Sequence, residues 1–151
     1  MFDLRDLYLQ VIVDHNKAPR NFGVLKKYNR DADGYNPLCG DKLHVYVNID
    51  DNGIIEEISF EGEGCAISVA SASLMTENLK GKPISEFPKS FEGFQHMVTS
   101  DINEEPDEES LGKLAVLAGV REFPSRIKCA VLCWHTLKSA VEDSHEVAKT
   151  E

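Results

Sequence analysis

Two alternating runs joined by a tight turn constrain the fold more than any other feature of this chain. Leu43, Val45, Val47 and Ile49 interleave with His44, Tyr46 and Asn48, the period of a strand with one buried face. Asp50-Asp51-Asn52-Gly53 follows, with Asn-Gly suited to positive φ, and Ile54, Ile58 and Phe60 then share parity in a second run. The pattern predicts an antiparallel hairpin.

Most of the remaining periodicity is helical. Leu4, Leu7, Tyr8, Val11 and Ile12 predict a helix over Asp3 to His15, ended before Pro19 and Gly23. The polar stretch from there to Tyr35 reads as a surface loop. Gly62-Glu63-Gly64-Cys65 breaks the second strand, and Gly64 is expected to allow the tight turn that delivers Cys65 to a helix N-terminus. That helix, rich in Ala and Ser, runs from Ala66 to Lys80, with Gly81 and Pro83 as its stop. Phe87, Phe91, Phe94, Met97 and Val98 predict another helix. Leu111, Leu114, Ala115, Leu117 and Ala118 predict a short one closed by Gly119. A last helix from Pro124 carries Ile127, Ala130, Val131, Trp134, Leu137 and Val141, and the tail after Ser144 is expected to fray. No repeat, linker or composition break divides the chain, so residues 1–151 are expected to form a single domain.

Composition narrows the function classes. A chain of 151 residues buries roughly two-thirds of its unfolded surface, enough for a core without disulfide staples. Sixteen Lys and Arg against 26 Asp and Glu give a net charge of −10, which argues against sequence-independent nucleic-acid binding. No apolar run approaches the length of a membrane-spanning helix, and MFDLRDLYLQ does not read as a signal peptide. The expected location is the cytoplasm, where structural disulfides are rare and the four cysteines need another explanation. Six of the nine residues from Asp101 to Glu109 are acidic, which reads as a solvated loop favouring the next helix N-terminus.

Three cysteines sit at structural punctuation. Cys39 lies in Asn36-Pro37-Leu38-Cys39-Gly40-Asp41, Cys65 between strand and helix, and Cys129 in the first turns of the last helix. A ligand or nucleophile has to be turned toward an open site, and a helix N-terminus favours the thiolate form. Asp41 is two residues beyond Cys39, so in an extended segment both side chains face one centre. Cys39, Asp41, Cys65 and Cys129 thus offer three thiolates and a carboxylate, a set that suits tetrahedral zinc. An iron–sulfur cluster also takes thiolates, so the metal stays open. Cys133, one helical turn after Cys129, reads as a packed core cysteine, with an auxiliary thiol as the alternative. His44 has the opposite strand parity to Asp41 and should face away; His15, His96, His135 and His145 show no ligand pairing.

These segments resemble the SufU/IscU/NifU N-terminal family of iron–sulfur cluster assembly proteins. Asp14-His15 through Ala18-Pro19-Arg20-Asn21-Phe22-Gly23 is similar to the family's opening segment. Asn36 to Asp41 matches its NPxCGD motif, Gly62 to Ser73 its GxGCxIS…ASAS segment, and Arg126-Ile127-Lys128-Cys129 its third cysteine region. The IscU branch has a His before its third cysteine and an LPPVK segment upstream. Here Lys128 and Glu122-Phe123-Pro124-Ser125-Arg126 stand instead, and the stretch between Cys65 and Cys129 is longer, as in the SufU branch.

The resemblance implies an α+β fold, a small antiparallel sheet with helices packed on one face. It also implies a zinc site at Cys39, Asp41, Cys65 and Cys129 that accepts persulfide sulfur from a cysteine desulfurase. Cys39 is the expected acceptor, and Arg126 a partner for Asp41 once that carboxylate leaves the metal. The sulfur would pass to a downstream iron–sulfur assembly complex or apo-protein acceptor. The alternative is a scaffold for a transient [2Fe–2S] cluster on the same four residues. A zinc hydrolase lacks a recognisable general base, and a purely structural zinc module would unfold without metal and show no sulfur transfer.

Overall fold

A computed structural model describes residues 4–142 and 148–150. Its centre is the expected hairpin: β2 (Asp41–Ile49) runs antiparallel to β3 (Ile55–Glu63), with Val45 opposite Phe60 and Val47 opposite Ile58. A register shift between Asn48 and Ile49 moves the buried parity, so Ile55 rather than Ile54 enters the core, fully enclosed. Leu43, Val45, Val47, Ile58 and Phe60 turn to the same covered side, each side chain contributing about 1.5–3 kcal/mol by burial.

The last part of the stretch expected to be a loop is in fact a strand. β1 (Arg30–Asn36) pairs antiparallel with β2, and its inward residues are Ala32, Gly34 and Asn36. They escape a hydrophobicity pattern because helix α5 (Pro124–Val141) crosses too close for larger side chains. A Cβ on Gly34 would stand 1.9 Å from Thr136 Oγ1. The tail also departs from expectation: β4 (Ala148–Lys149) adds parallel to β1, and the Thr150 N–H donates to Tyr35 O at 3.2 Å. The sheet order is β3-β2-β1-β4. Residues 21–23 lie along the outer edge of β3, exchanging backbone hydrogen bonds with Phe60.

Helices cover one face of this sheet. α2 (Ala66–Leu79) lies against α5, and α1 (Leu4–Lys17) lies against α2. The small residues Ala70, Ser71, Ala72 and Ser73 are all buried there, and Ser71 Oγ donates to Ala130 O at 2.6 Å. α3 (Phe87–Thr99) accepts Pro88 in its first turn and stacks Phe94 on Trp134 with ring centroids 4.9 Å apart. After the single turn α4 (Glu108–Leu111), the chain continues as a 3-10 helix over Gly112–Glu122 rather than stopping at Gly119. Leu111, Leu114, Leu117 and Val120 are all buried, at three-residue steps that match three residues per turn. Gly119 is a packing position, since a Cβ there would lie 2.9 Å from the Tyr8 ring.

The acidic run behaves as expected at its end: the Asp107 side chain accepts from the Ser110 N–H and opens α4. Its other anchor, Arg121, was not foreseen. That guanidinium donates to the backbone oxygens of Ile102 and Glu104 and to Ser100 Oγ.

Candidate metal centre

The β1–β2 hairpin, the start of α2 and the start of α5 meet at one end of the sheet. Asn36 and Asp41 are register partners, and residues 37–40 make the turn between them. Gly40 has φ +73° and donates its N–H to Asn36 O at 2.9 Å, so Cys39 stands on an exposed turn tip. The turn, not an extended segment, brings Cys39 toward Asp41. Donor atoms of Cys39, Asp41 and Cys129 all lie within 4.8 Å of one another.

Asp41 is fully buried, and both its oxygens are held: Oδ1 accepts the Cys65 N–H at 2.8 Å and Oδ2 accepts Asn36 Nδ2 at 3.1 Å. The glycines before Cys65 divide the work. Gly62 takes the left-handed conformation, φ +134°, where a Cβ would meet Lys42 O at 2.1 Å. Gly64 supplies clearance instead, for a Cβ there would stand 2.9 Å from Asp41 Oδ1.

Cys65 caps α2, as the sequence indicates. It is not among the three donors that lie within 4.8 Å of one another, and its thiol is linked to them through Cys129. Hydrogen bonding from Cys129, aided by the N–H groups of Ser68 and Ile67 at the helix start, lowers the Cys65 thiol to about 6. Cys129 is pushed upward by the same hydrogen bond and then by burial. Cys129 Sγ is 3.3 Å from Cys39 Sγ. Arg126, one turn earlier on α5, puts Nη1 3.7 Å from Cys39 Sγ, and its proton is held more firmly by Cys129 and the neighbouring sulfur charges.

The donor set fits a thiophilic cation. Tetrahedral zinc with Zn–S bonds of 2.3 Å separates two sulfurs by about 3.8 Å, close to the Cys39–Cys129 spacing. Cys133 is packed away from the group: it lies 3.5 Å from Ser71 Oγ, and burial pushes its thiol up to about 12. His44 faces the open side of the sheet, between Asp33 and Asp31. His15 is buried against Ser73, His96 meets Glu104 and His135 meets the Phe91 ring; His145 lies outside the described residues. The residue to which sequence reasoning gave no role is Asn36, whose signal there is its place as the first residue of the NPxCGD motif, and which the structure pairs with Asp41. An open groove of about 920 Å³, lined by Tyr8, Ile12, Ile102 and Phe123 among others, leads to Cys65 and Arg126.

A family model for the NifU-like N terminal domain matches residues 7–149. The zinc-dependent sulfurtransferase SufU of Bacillus subtilis is 45% identical over 139 residues, 92% of either chain. The iron–sulfur cluster assembly scaffold protein IscU of Streptococcus pyogenes is 40% identical over 141 residues, 93% of this chain and 86% of that one. A crystal structure described as an assembly scaffold protein for the SUF system of Fervidobacterium islandicum superposes with a TM-score of 0.79 at 32% identity, over 87% of this chain and 94% of that one. With its α+β architecture and its Cys-Asp-Cys group in place, the chain belongs to the NifU-like N-terminal domain family of iron–sulfur cluster assembly proteins.

Proposed function

We propose that this chain, as one cytoplasmic domain, is a zinc-bound sulfur-transfer partner of a cysteine desulfurase. The observation that carries the reading is a division within one donor group. Asp41 and Cys129 are fully buried, whereas Cys39 sits exposed on a turn beside the Arg126 guanidinium. The name of the Bacillus subtilis relative, a zinc-dependent sulfurtransferase, supports it. Cys39, Asp41, Cys65 and Cys129 would hold the zinc, which when bound keeps the thiols deprotonated and the turn in place.

Transfer is a thiol exchange. The Cys39 thiolate attacks the outer sulfur of the donor's persulfide; the new S–S bond forms on Cys39 as the donor's S–S bond breaks. The donor leaves as its own thiolate, so charge and electrons balance with no added oxidant. Arg126 stabilises the attacking thiolate and can turn to Asp41 if that carboxylate is displaced. The sulfur then passes to the downstream assembly machinery. Cys39→Ala is expected to abolish stimulation of the desulfurase, while Lys80→Ala, paired with Glu57 on the surface, leaves it intact. Undiminished stimulation by Cys39→Ala would remove the acceptor assignment.

The second reading is a scaffold that builds a transient [2Fe–2S] cluster on the same residues, supported by the name of the Streptococcus pyogenes relative. Anaerobic reconstitution, followed by visible absorption and transfer to an apo-protein, separates the two.

A further inference from the structure

Asn36 is fully buried, and its side-chain hydrogen bonds go to parts of the metal centre. Its Nδ2 donates to Asp41 Oδ2 at 3.1 Å and to Cys129 Sγ at 3.5 Å, and its Oδ1 accepts the Leu38 N–H at 3.3 Å. One amide therefore touches β2, α5 and the turn that carries Cys39. The amide nitrogen can only donate, and both atoms it faces are stronger acceptors in their ionised, ligating forms. The carbonyl oxygen faces the turn, while the amide nitrogen, which cannot bind a cation, faces Asp41 and Cys129. With Cys65 N–H on Oδ1, the Asn36 contact sets the orientation of the Asp41 carboxylate about its own bond.

We infer that Asn36 is the positioning residue of this centre, holding Asp41 and Cys129 side by side as a fixed pair while the Cys39 turn above them stays exposed to solvent. The inference rests on the proposed ligand set and deepens it. Its consequence for sulfur transfer is that Cys39 can exchange partners without the other donors separating. An outer partner that orients a ligand commonly accounts for 10–100-fold in metal affinity. Asp in this place would set acceptor against acceptor, and Leu, of similar size, would offer no donor.

The test uses cobalt(II) as the probe on the metal-free full chain, with affinity read by competition against a chromophoric chelator and coordination read from the visible spectrum. Asn36→Leu is expected to lower cobalt affinity about 10–100-fold. It should also alter the spectrum in the way that Asp41→Ala does. Asn36→Ser, which keeps a hydroxyl donor, should lose less. In an Asp41→Ala background, Asn36→Leu should cost far less than it does alone, because the two act through one contact. Wild-type affinity and spectrum in Asn36→Leu would overturn the inference, and so would full additivity with Asp41→Ala. If Asn36→Leu does not fold, Asn36→Ser decides by the same two criteria. Failure of Asp41→Ala alone to change cobalt binding would instead overturn the ligand set, leaving the two failures distinguishable.

Discussion

The two faces of the β1–β2 pair handle carboxylates in opposite ways. On the open face, Asp31 and Asp33 flank His44 at 2.7 and 2.5 Å, partly exposed, and water shares the solvation of all three. On the covered face, two strands' worth of apolar packing ends at Asp41, which is fully buried and reached by one N–H from Cys65 and one from Asn36. A solvated carboxylate can lose a partner at small cost, typically under about 1 kcal/mol. A buried one depends on its donors and on any cation it shares with neighbouring thiols. The lesson is that placement relative to the helices, not residue type, separates a surface ion pair from a metal centre.

The largest expected effect tests the covered face directly. Asp41→Ala should lower zinc or cobalt affinity more than about 100-fold, beyond the range usual for an outer partner. Asp31→Ala on the open face should leave metal content unchanged, as measured by metal analysis after gel filtration. Equal metal content in the two variants would break the comparison.

Next is the close approach that makes the covered face polar at this end. Gly34→Ala forces a methyl onto Thr136 Oγ1 and should destabilise the fold by about 1–3 kcal/mol. Thr136→Ala in the same chain should recover part of that loss, read as the urea midpoint. Additive losses in the double variant would show that the clash is not what confines β1 to small residues.

The smallest effects concern the histidines, which should respond to pH with opposite signs. Burial lowers the pKa of His15, so the folded chain takes up a proton less readily than the unfolded one. Its contribution is full above the ordinary histidine value of 6.5 and declines as pH falls through the depressed folded value. For His44, desolvation acts downward but is outweighed by its bonds to Asp33 and Asp31, and the pKa rises. That stabilisation is full below 6.5 and is lost as pH climbs through the raised folded value. His44→Asn should therefore cost stability near pH 5.5 and little near pH 9, in paired urea titrations. A constant cost across that range would remove the charge-based account of the open face.

How much of this was legible beforehand depended on side-chain size. Val45, Val47, Ile58 and Phe60 are large, so burial imprinted a period on them and the hairpin could be read directly. Ala32, Gly34 and Asn36 obey the same alternation in β1, but close helix packing admits only small or polar residues there. The three-residue spacing of Leu111, Leu114, Leu117 and Val120 was present in the sequence and was read with the wrong helical period. At the site, glycines beside Cys39 and Cys65 marked two candidate donors, whereas Asn36, though part of the NPxCGD motif, gave no hint of its contacts with Asp41 and Cys129.

The sequence by itself determined the hairpin, the stop of α2 at Gly81 and the candidate donors Cys39, Asp41 and Cys129 that the structure brings together, because these rest on local preferences: alternation, turn chemistry and residues with metal-binding atoms. Only the tertiary structure decided that β1 is a strand and that residues 148–149 complete the sheet. It alone showed Cys39 on an exposed turn over a buried Asp41, clamped by Asn36 and the Cys65 N–H. Those facts depend on contacts between distant segments, Tyr35 with Thr150 and, 93 residues apart, Asn36 with Cys129, and no local pattern encodes a distance of that kind.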